Sequence, residues 1–173
     1  PELPITELCP APVFQWAIFR RVTFRRAGVL GYDELAAQLQ VQEQVLCIVN
    51  SRKSAQEIFR QLTGEGNFHL STLMYPAHRR AVLKEIRRRL QEGLSCRVVS
   101  TSLVEAGVDV DFPAVYREEA GLDSILQAAG RCNREGKRAP EDSIATIFRG
   151  EGGTPPLFAA ATGAGRYVME HWE

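Results

Sequence analysis

The sequence predicts an open parallel α/β sheet with helices on both faces, on three observations. Short apolar runs alternate along the chain with amphipathic segments of helical length, the pattern of successive βαβ units. Each amphipathic segment begins at a capping residue or ends at a glycine, as a crossover helix between parallel strands should. The 173 residues, 45% hydrophobic and 24% charged, suit a single well-buried core.

The elements follow in order. FRRVTFR (19–25) alternates apolar with basic residues and is expected at a sheet edge, wet on one side. DELAAQLQ, opening at Tyr32 or Asp33, is the first helix. VLCIVN (45–50) is a strand, and SRKSAQEIFRQL, capped by Asn50 or Ser51 and closed by Gly64, is the next helix. FHLSTL (68–73) is a strand. AHRRAVLKEIRRRLQEG then carries Val82, Leu83, Ile86 and Leu90 on one stripe until Gly93 stops it. CRVVST (96–101), PAVYR (113–117) and SIATIFR (143–149) complete five or six strands, with a short helix near Ser124 to Ala129. RGEGGTPP (149–156) is a Gly/Pro break, after which the composition changes. An open parallel sheet places ligands beyond the carboxyl ends of its strands, so those ends are expected to hold the chemistry.

Lys plus Arg equals Asp plus Glu at 21 each, so the whole chain carries no electrostatic footprint for nucleic acid, and only local patches can. Cys9, Cys47, Cys96 and Cys132 form no CxxC pair, which favours a reducing, cytoplasmic location. No apolar run approaches the ~18 residues of a membrane span, and no basic-then-apolar leader opens the sequence. The chain begins at Pro1 and stops inside a helix-like stretch holding Val168, Met169 and Trp172, so it is expected to be a piece of a longer protein.

Three constellations carry chemistry. In SCRVVSTSLVEAGVDVDFP (95–113), a strand delivers Ser100 and Thr101 to its end, Ser102 and Glu105 have the spacing of a capping box, and Gly107 ends a short helix. Hydroxyls and helix N–H groups there suit a phosphate, although capping alone explains the same residues. Asp109 and Asp111 follow on an extended segment with both side chains on one side. In QAAGRCNREGK (127–137), Gly130 permits close backbone approach, and Arg131 and Arg134 share a helical face on which two guanidinium forks can meet one polyphosphate. A solvated basic turn is the plainer alternative. It is not a Walker A loop, which needs four residues between its glycines and Ser or Thr after the lysine. Here five intervene and Arg138 follows. DELA (33–36) opens a helix, so it takes no magnesium. The third constellation is Asn50, Ser51 and Arg52 with Ser71 and Thr72, short polar groups at strand ends that suit a sugar-phosphate backbone. The basic run from Arg79 to Arg89 reads as the wet face of a helix.

In this order the segments resemble a known family. NSRKSAQEIF resembles motif IV, STSLVEAGVDVDFP motif V and QAAGRCNREG motif VI of the second RecA-like lobe of superfamily 2 helicases. The wording of the last two is similar to the CRISPR-associated helicase-nuclease of type I systems. The resemblance covers roughly residues 18–150. It implies a RecA-like open parallel sheet with helices on both faces. Gln127, Arg131 and Arg134 would be the catalytic set, with Arg134 as the arginine finger at the γ-phosphate of ATP. Gly107, Asp109 and Gly130 would meet the nucleotide, Asp109 at its ribose. Asn50, Ser51, Arg52, Ser71, Thr72, Ser100, Thr101 and Ser102 would grip single-stranded DNA.

The resemblance also implies what this stretch lacks. Walker A and a true DExx box belong to the first lobe, so ATP and Mg2+ would be held mainly there, and this chain alone would not hydrolyse ATP. His69, His78 and His171 are not followed by Asp, so the HD nuclease with its metal would sit in another domain, and no metal site is expected here. The implied domain plan is a linker at 1–17, the helicase C-terminal lobe at 18–150 and the start of an accessory segment at 151–173. The implied function is the second motor lobe of an ATP-dependent DNA translocase that degrades foreign DNA in antiviral defence, with the first RecA-like lobe, the HD domain, single-stranded DNA and the Cascade complex as partners and no membrane. The alternatives are the second lobe of another superfamily 2 translocase, for restriction or repair, and an ATP-independent interaction domain.

Overall fold

The computed structural model describes residues 20–102, 108–154 and 156–171. Six strands, β1 (Thr23–Leu30), β2 (Gln44–Ile48), β3 (Asn67–Leu70), β4 (Cys96–Ser100), β5 (Ala114–Glu118) and β6 (Ile144–Gly150), form one sheet in the order β1-β6-β5-β2-β4-β3, with every neighbouring pair parallel. Among the described residues the α-helices are α1 (Tyr32–Gln40), α2 (Arg52–Gln61), α3 (Pro76–Gln91), α4 (Leu122–Ala129) and α5 (Ala159–His171).

Two cores follow from the alternation of strand side chains. On one face Val45, Cys47, Val99, Tyr116 and Phe148 pack against Leu35, Ala36 and Leu39 of α1 and Ala55 and Ile58 of α2. On the other, Leu46, Ile48, Val98 and Val115 pack against Ile86 of α3, Ala128 of α4 and the extended residues Val108, Val110 and Phe112. The predicted stripe on α3 is the buried one, since Val82, Leu83 and Leu90 lean on this second core beside Ile86. The expected cap on α2 is also present: the Ser51 hydroxyl accepts the Ser54 N–H at 3.0 Å.

The edge strand is where expected but later in sequence. Its ladder starts at Thr23 instead of residue 19, because the Thr23 N–H donates to Ser143 O and its hydroxyl donates to Pro140 O, which sets the register with β6. It remains largely solvent-facing, with Val29 exposed. The proposed short helix closed by Gly107 lies outside the described residues, as does Trp172.

Beyond the Gly/Pro break, α5 runs alongside α4. A side chain at Gly165 would come within 2.5 Å of Ala120 O, so only glycine permits this approach. The Glu119 carboxylate anchors the helix by accepting from Arg166 at 2.6 Å and Arg149 at 3.2 Å, while Arg26 of β1 pairs with Glu170 at 2.9 Å. Burial pushes the Glu119 carboxyl up, but the two guanidinium groups outweigh it and hold it below the ordinary range.

A folded-state pKa below the unfolded one gives stability that is present above the unfolded value, near 4.3, and is lost as pH falls through the folded value. Glu119→Gln is therefore expected to destabilise by about 1 kcal/mol at pH 7 and by progressively less as the pH falls below the ordinary carboxyl range, by chemical denaturation over a pH series.

Candidate functional site

The sequence-predicted residues fall into two groups at opposite ends of the sheet. At the carboxyl ends of β2 and β4 the chain leaves over opposite faces, into α2 from β2 and towards residues 108–112 from β4, which is a topological switch point. An open groove of about 720 Å³ lies there, lined by Asn50, Ser51, Arg52, Lys53, Gln56, Thr72, Leu73, Thr101 and Ser102. Six of the eight residues expected to grip a strand thus meet. The other two stand behind the groove. Ser100 is fully buried with its hydroxyl spent on Thr101 O, and the Ser71 carbonyl closes a turn to the Met74 N–H.

Asn50 is committed to the framework. Its side-chain amide donates to Glu119 O at 2.8 Å, its carbonyl accepts from the buried Arg117 at 2.8 Å, and its backbone N–H donates to the buried Glu118 carboxylate at 2.6 Å. Burial raises the Glu118 carboxyl above its ordinary range, opposed by the Asn50 N–H and by Arg117. Sequence reasoning missed this polar layer, because Arg117 and Glu118 end an apolar run and only the parallel register Ile48↔Arg117 brings them beside Asn50.

The arginine pair lies elsewhere. Helix α4 returns antiparallel to the strands and stops at Ala129, so Arg131 and Arg134 come off the amino end of β5: Phe112 N–H donates to Arg131 O, and Phe112 bridges Cys132 in parallel fashion. This corrects two expectations. The arginines are not at the carboxyl ends, and they do not share a helical face, since a turn carries both. Gly136 sits past the turn at φ 65°, its N–H on Asn133 O.

Asn133 makes that turn, and the sequence reading did not single it out. It is buried at φ 48°, the one described non-glycine residue at positive φ. Its amide donates to Arg21 O at 2.8 Å and Arg138 O at 2.7 Å, and its carbonyl accepts from the Arg138 N–H at 3.0 Å. The available signal was chemical: asparagine is among the few side chains that tolerate the left-handed region. Cys132 beside it is an inert filler. Burial and the nearby Asp111 push its thiol up to about 12.

The two aspartates divide their work. Val108, Val110 and Phe112 point into the core, so Asp109 and Asp111 point out. Asp111, with 15% of its side chain exposed, accepts the Arg134 backbone N–H at 2.7 Å and pairs with Arg138 at 3.2 Å, which fixes the turn. Asp109, at 79%, pairs with the Arg134 guanidinium at 3.1 Å. Arg131 is half-buried. Burial and the like charge of Arg134 lower its pKa from the ordinary value while Asp109 opposes them, so the three groups form one electrostatic cluster. Gln127 is exposed on the last turn of α4, one residue from the solvent-facing Leu126. Gly130 needs no special φ, but a side chain there would crowd Gln127 O and Leu126 O at 3.3 and 3.4 Å. Gly107 lies outside the described residues.

A six-stranded all-parallel sheet with helices on both faces, a groove at its switch point and paired arginines beside an aspartate make this a RecA-like lobe. Solved structures agree on the fold. The crystal structure of T. fusca Cas3-ATP has a TM-score of 0.63 at 18% identity, covering 86% of this chain and 19% of that one. The DUF1998 helicase MrfA bound to DNA and AMPPNP has a TM-score of 0.57 at 17% identity, over 87% and 22%. The sequence is more specific. The model of the family described as CRISPR-associated nuclease/helicase Cas3, C-terminal, matches residues 41–137, more than half of the chain, which therefore belongs to that family. Among curated relatives, the CRISPR-associated nuclease/helicase Cas3 of Methanothermobacter thermautotrophicus is 30% identical over 54% of this chain and 11% of its own length. The CRISPR-associated helicase Cas3 of Thermoproteus tenax is 26% identical over 76% and 22%. The chain spans less than a quarter of either relative. No helix among the described residues is long and apolar enough to cross a membrane.

Asn133→Ala loses three hydrogen bonds and forces a strained backbone, and is expected to destabilise by roughly 3 kcal/mol in urea unfolding. Asn133→Gly, which accepts the positive φ, should recover about 1 kcal/mol of that.

Proposed function

We propose that this chain is the second motor lobe of an ATP-dependent, single-stranded-DNA-translocating helicase-nuclease that degrades foreign DNA in the cytoplasm during type I CRISPR defence. The observation that carries the reading is the convergence of Arg131, Arg134 and Asp109 on one surface at the amino end of β5. Two guanidinium forks and one exposed carboxylate fit the terminal oxygens of a polyphosphate and a ribose hydroxyl. Mg2+ is assigned mainly to the first lobe, where the resemblance puts the Walker A and DExx motifs.

ATP, when bound with Mg2+, supplies a γ-phosphoryl group for transfer to water. This lobe's part is electrostatic. Arg134 exchanges its Asp109 partner for the phosphoryl oxygens as the lobes close, and Asp109, released, takes the ribose. Arg131, drawn part-way into the protein, has fewer positions open to it and holds its charge beside that of Arg134. At the other end of the sheet the groove grips the strand through hydroxyls, the Gln56 amide and the Arg52 and Lys53 charges. Nucleotide-driven closure then moves a gripped strand, and the HD nuclease domain and Cascade act on that strand from outside this lobe.

In the complete protein Arg134→Ala is expected to lower DNA-stimulated ATP turnover about 10³-fold or more, with little change in single-strand affinity. Arg134→Lys should not rescue it, because a single ammonium lacks the fork. An unchanged turnover would refute this reading. The lobe alone should show no turnover at all.

A further inference from the structure

The turn after β3 presents two apolar side chains that the fold does not use. Met74 tucks inward against the second core and its N–H closes the turn on Ser71 O at 3.2 Å. Its neighbours Leu73 and Tyr75 are left 73% and 83% exposed. Their backbone is well held. Tyr75 precedes Pro76, the first residue of α3, and its carbonyl accepts the Arg79 N–H at 2.9 Å. Leu73 lines the groove itself, beside Thr72.

The surroundings select the occupant. Among the described residues the groove is lined by four hydroxyl side chains, two amides, Arg52 and Lys53, without one carboxylate, in a chain whose charges balance. Arg79 and Arg80 follow on the first turns of α3, which has no acidic residue in its first turn. Two apolar side chains among cations are too small and too charged a patch for the core of a stable protein interface. They suit unpaired bases, which carry an apolar π-face on an anionic backbone. A backbone lying on the polar floor leaves its bases to be covered at the rim, where Leu73 stands with the exposed Tyr75 two residues further along the same turn.

We propose that Leu73 and Tyr75 form a base-stacking platform at the rim of the groove, an unpaired base resting on the Tyr75 ring and Leu73 covering its neighbour. The platform rests on the reading of the groove as a single-strand track. It recognises π-faces, so it binds without regard to sequence and permits stepwise passage.

The test is equilibrium binding of the complete protein to an oligothymidylate and to an abasic sugar-phosphate chain of equal length, over a range of salt. Tyr75→Ala is expected to weaken oligothymidylate binding roughly 10-fold while leaving both the salt slope and the abasic-chain affinity unchanged. Tyr75→Phe should stay within about 2-fold of the wild type, since the ring is kept. Arg52→Ala should weaken both ligands and reduce the salt slope by about 0.7. If Tyr75→Ala binds both ligands like the wild type while Arg52→Ala weakens them, the platform is wrong and the groove stands. If Arg52→Ala is also silent, the groove reading falls and takes the platform with it. A Tyr75→Ala protein that keeps full DNA affinity but no longer captures a protein partner held by the wild type would assign these side chains to that partner and overturn the proposal.

Discussion

The buried amide of Asn133 is the contact on which the arginine surface depends. It joins the carbonyl of Arg21 ahead of β1, both backbone groups of Arg138 ahead of β6 and, through its own N–H, the carbonyl of Phe112 ahead of β5. Three strand entrances are thus tied at one residue. Each bond is worth only about 1 kcal/mol net, but a buried carbonyl left without a donor costs as much again or more, so the knot holds as a unit. With Asp111 gripping the Arg134 N–H from the side, the turn is fixed at two points and the guanidinium groups need no helix to aim them.

This also explains where the sequence was readable and where it was not. Strands such as VLCIVN and helices such as the one carrying Ile86 announce themselves through apolar spacing, because burial of one face is a local pattern with a global cause. The family motifs were legible for a similar reason, as fixed words within single segments. Contacts set by register are a different matter. Arg117 and Asn50 are 67 positions apart, and nothing in either neighbourhood says they will be adjacent. The helical placement of Arg131 and Arg134 failed on a more particular point: i and i+3 spacing fits a turn as well as a helix, and the positive φ of Asn133, which decides between them, is set by partners from three other segments.

The polar layer behind the groove has a cost that its position makes sense of. Burying Arg117 and Glu118 under the carboxyl ends of β2 and β5 gives up apolar burial, and desolvation works against the Glu118 carboxylate. The return is orientation. Asn50, held through its backbone N–H and both ends of its side chain, fixes the start of α2, and with it Ser51 and Arg52, on the groove wall.

The groove and the arginine cluster stand at opposite ends of the sheet, yet one stretch of chain serves both. It leaves the groove at Thr101 and Ser102 and arrives at the cluster with Asp109 and Asp111, and on the way in Val108, Val110 and Phe112 are built into the second core. That burial fixes residues 108–112 against the sheet. A displacement at either end is resisted by close-packed side chains against Leu46, Ile48 and Val115, which do not deform gradually. On the proposed reading, lobe closure that pushes on Arg134 would reach the groove through this packed core, so the track site would follow the nucleotide site.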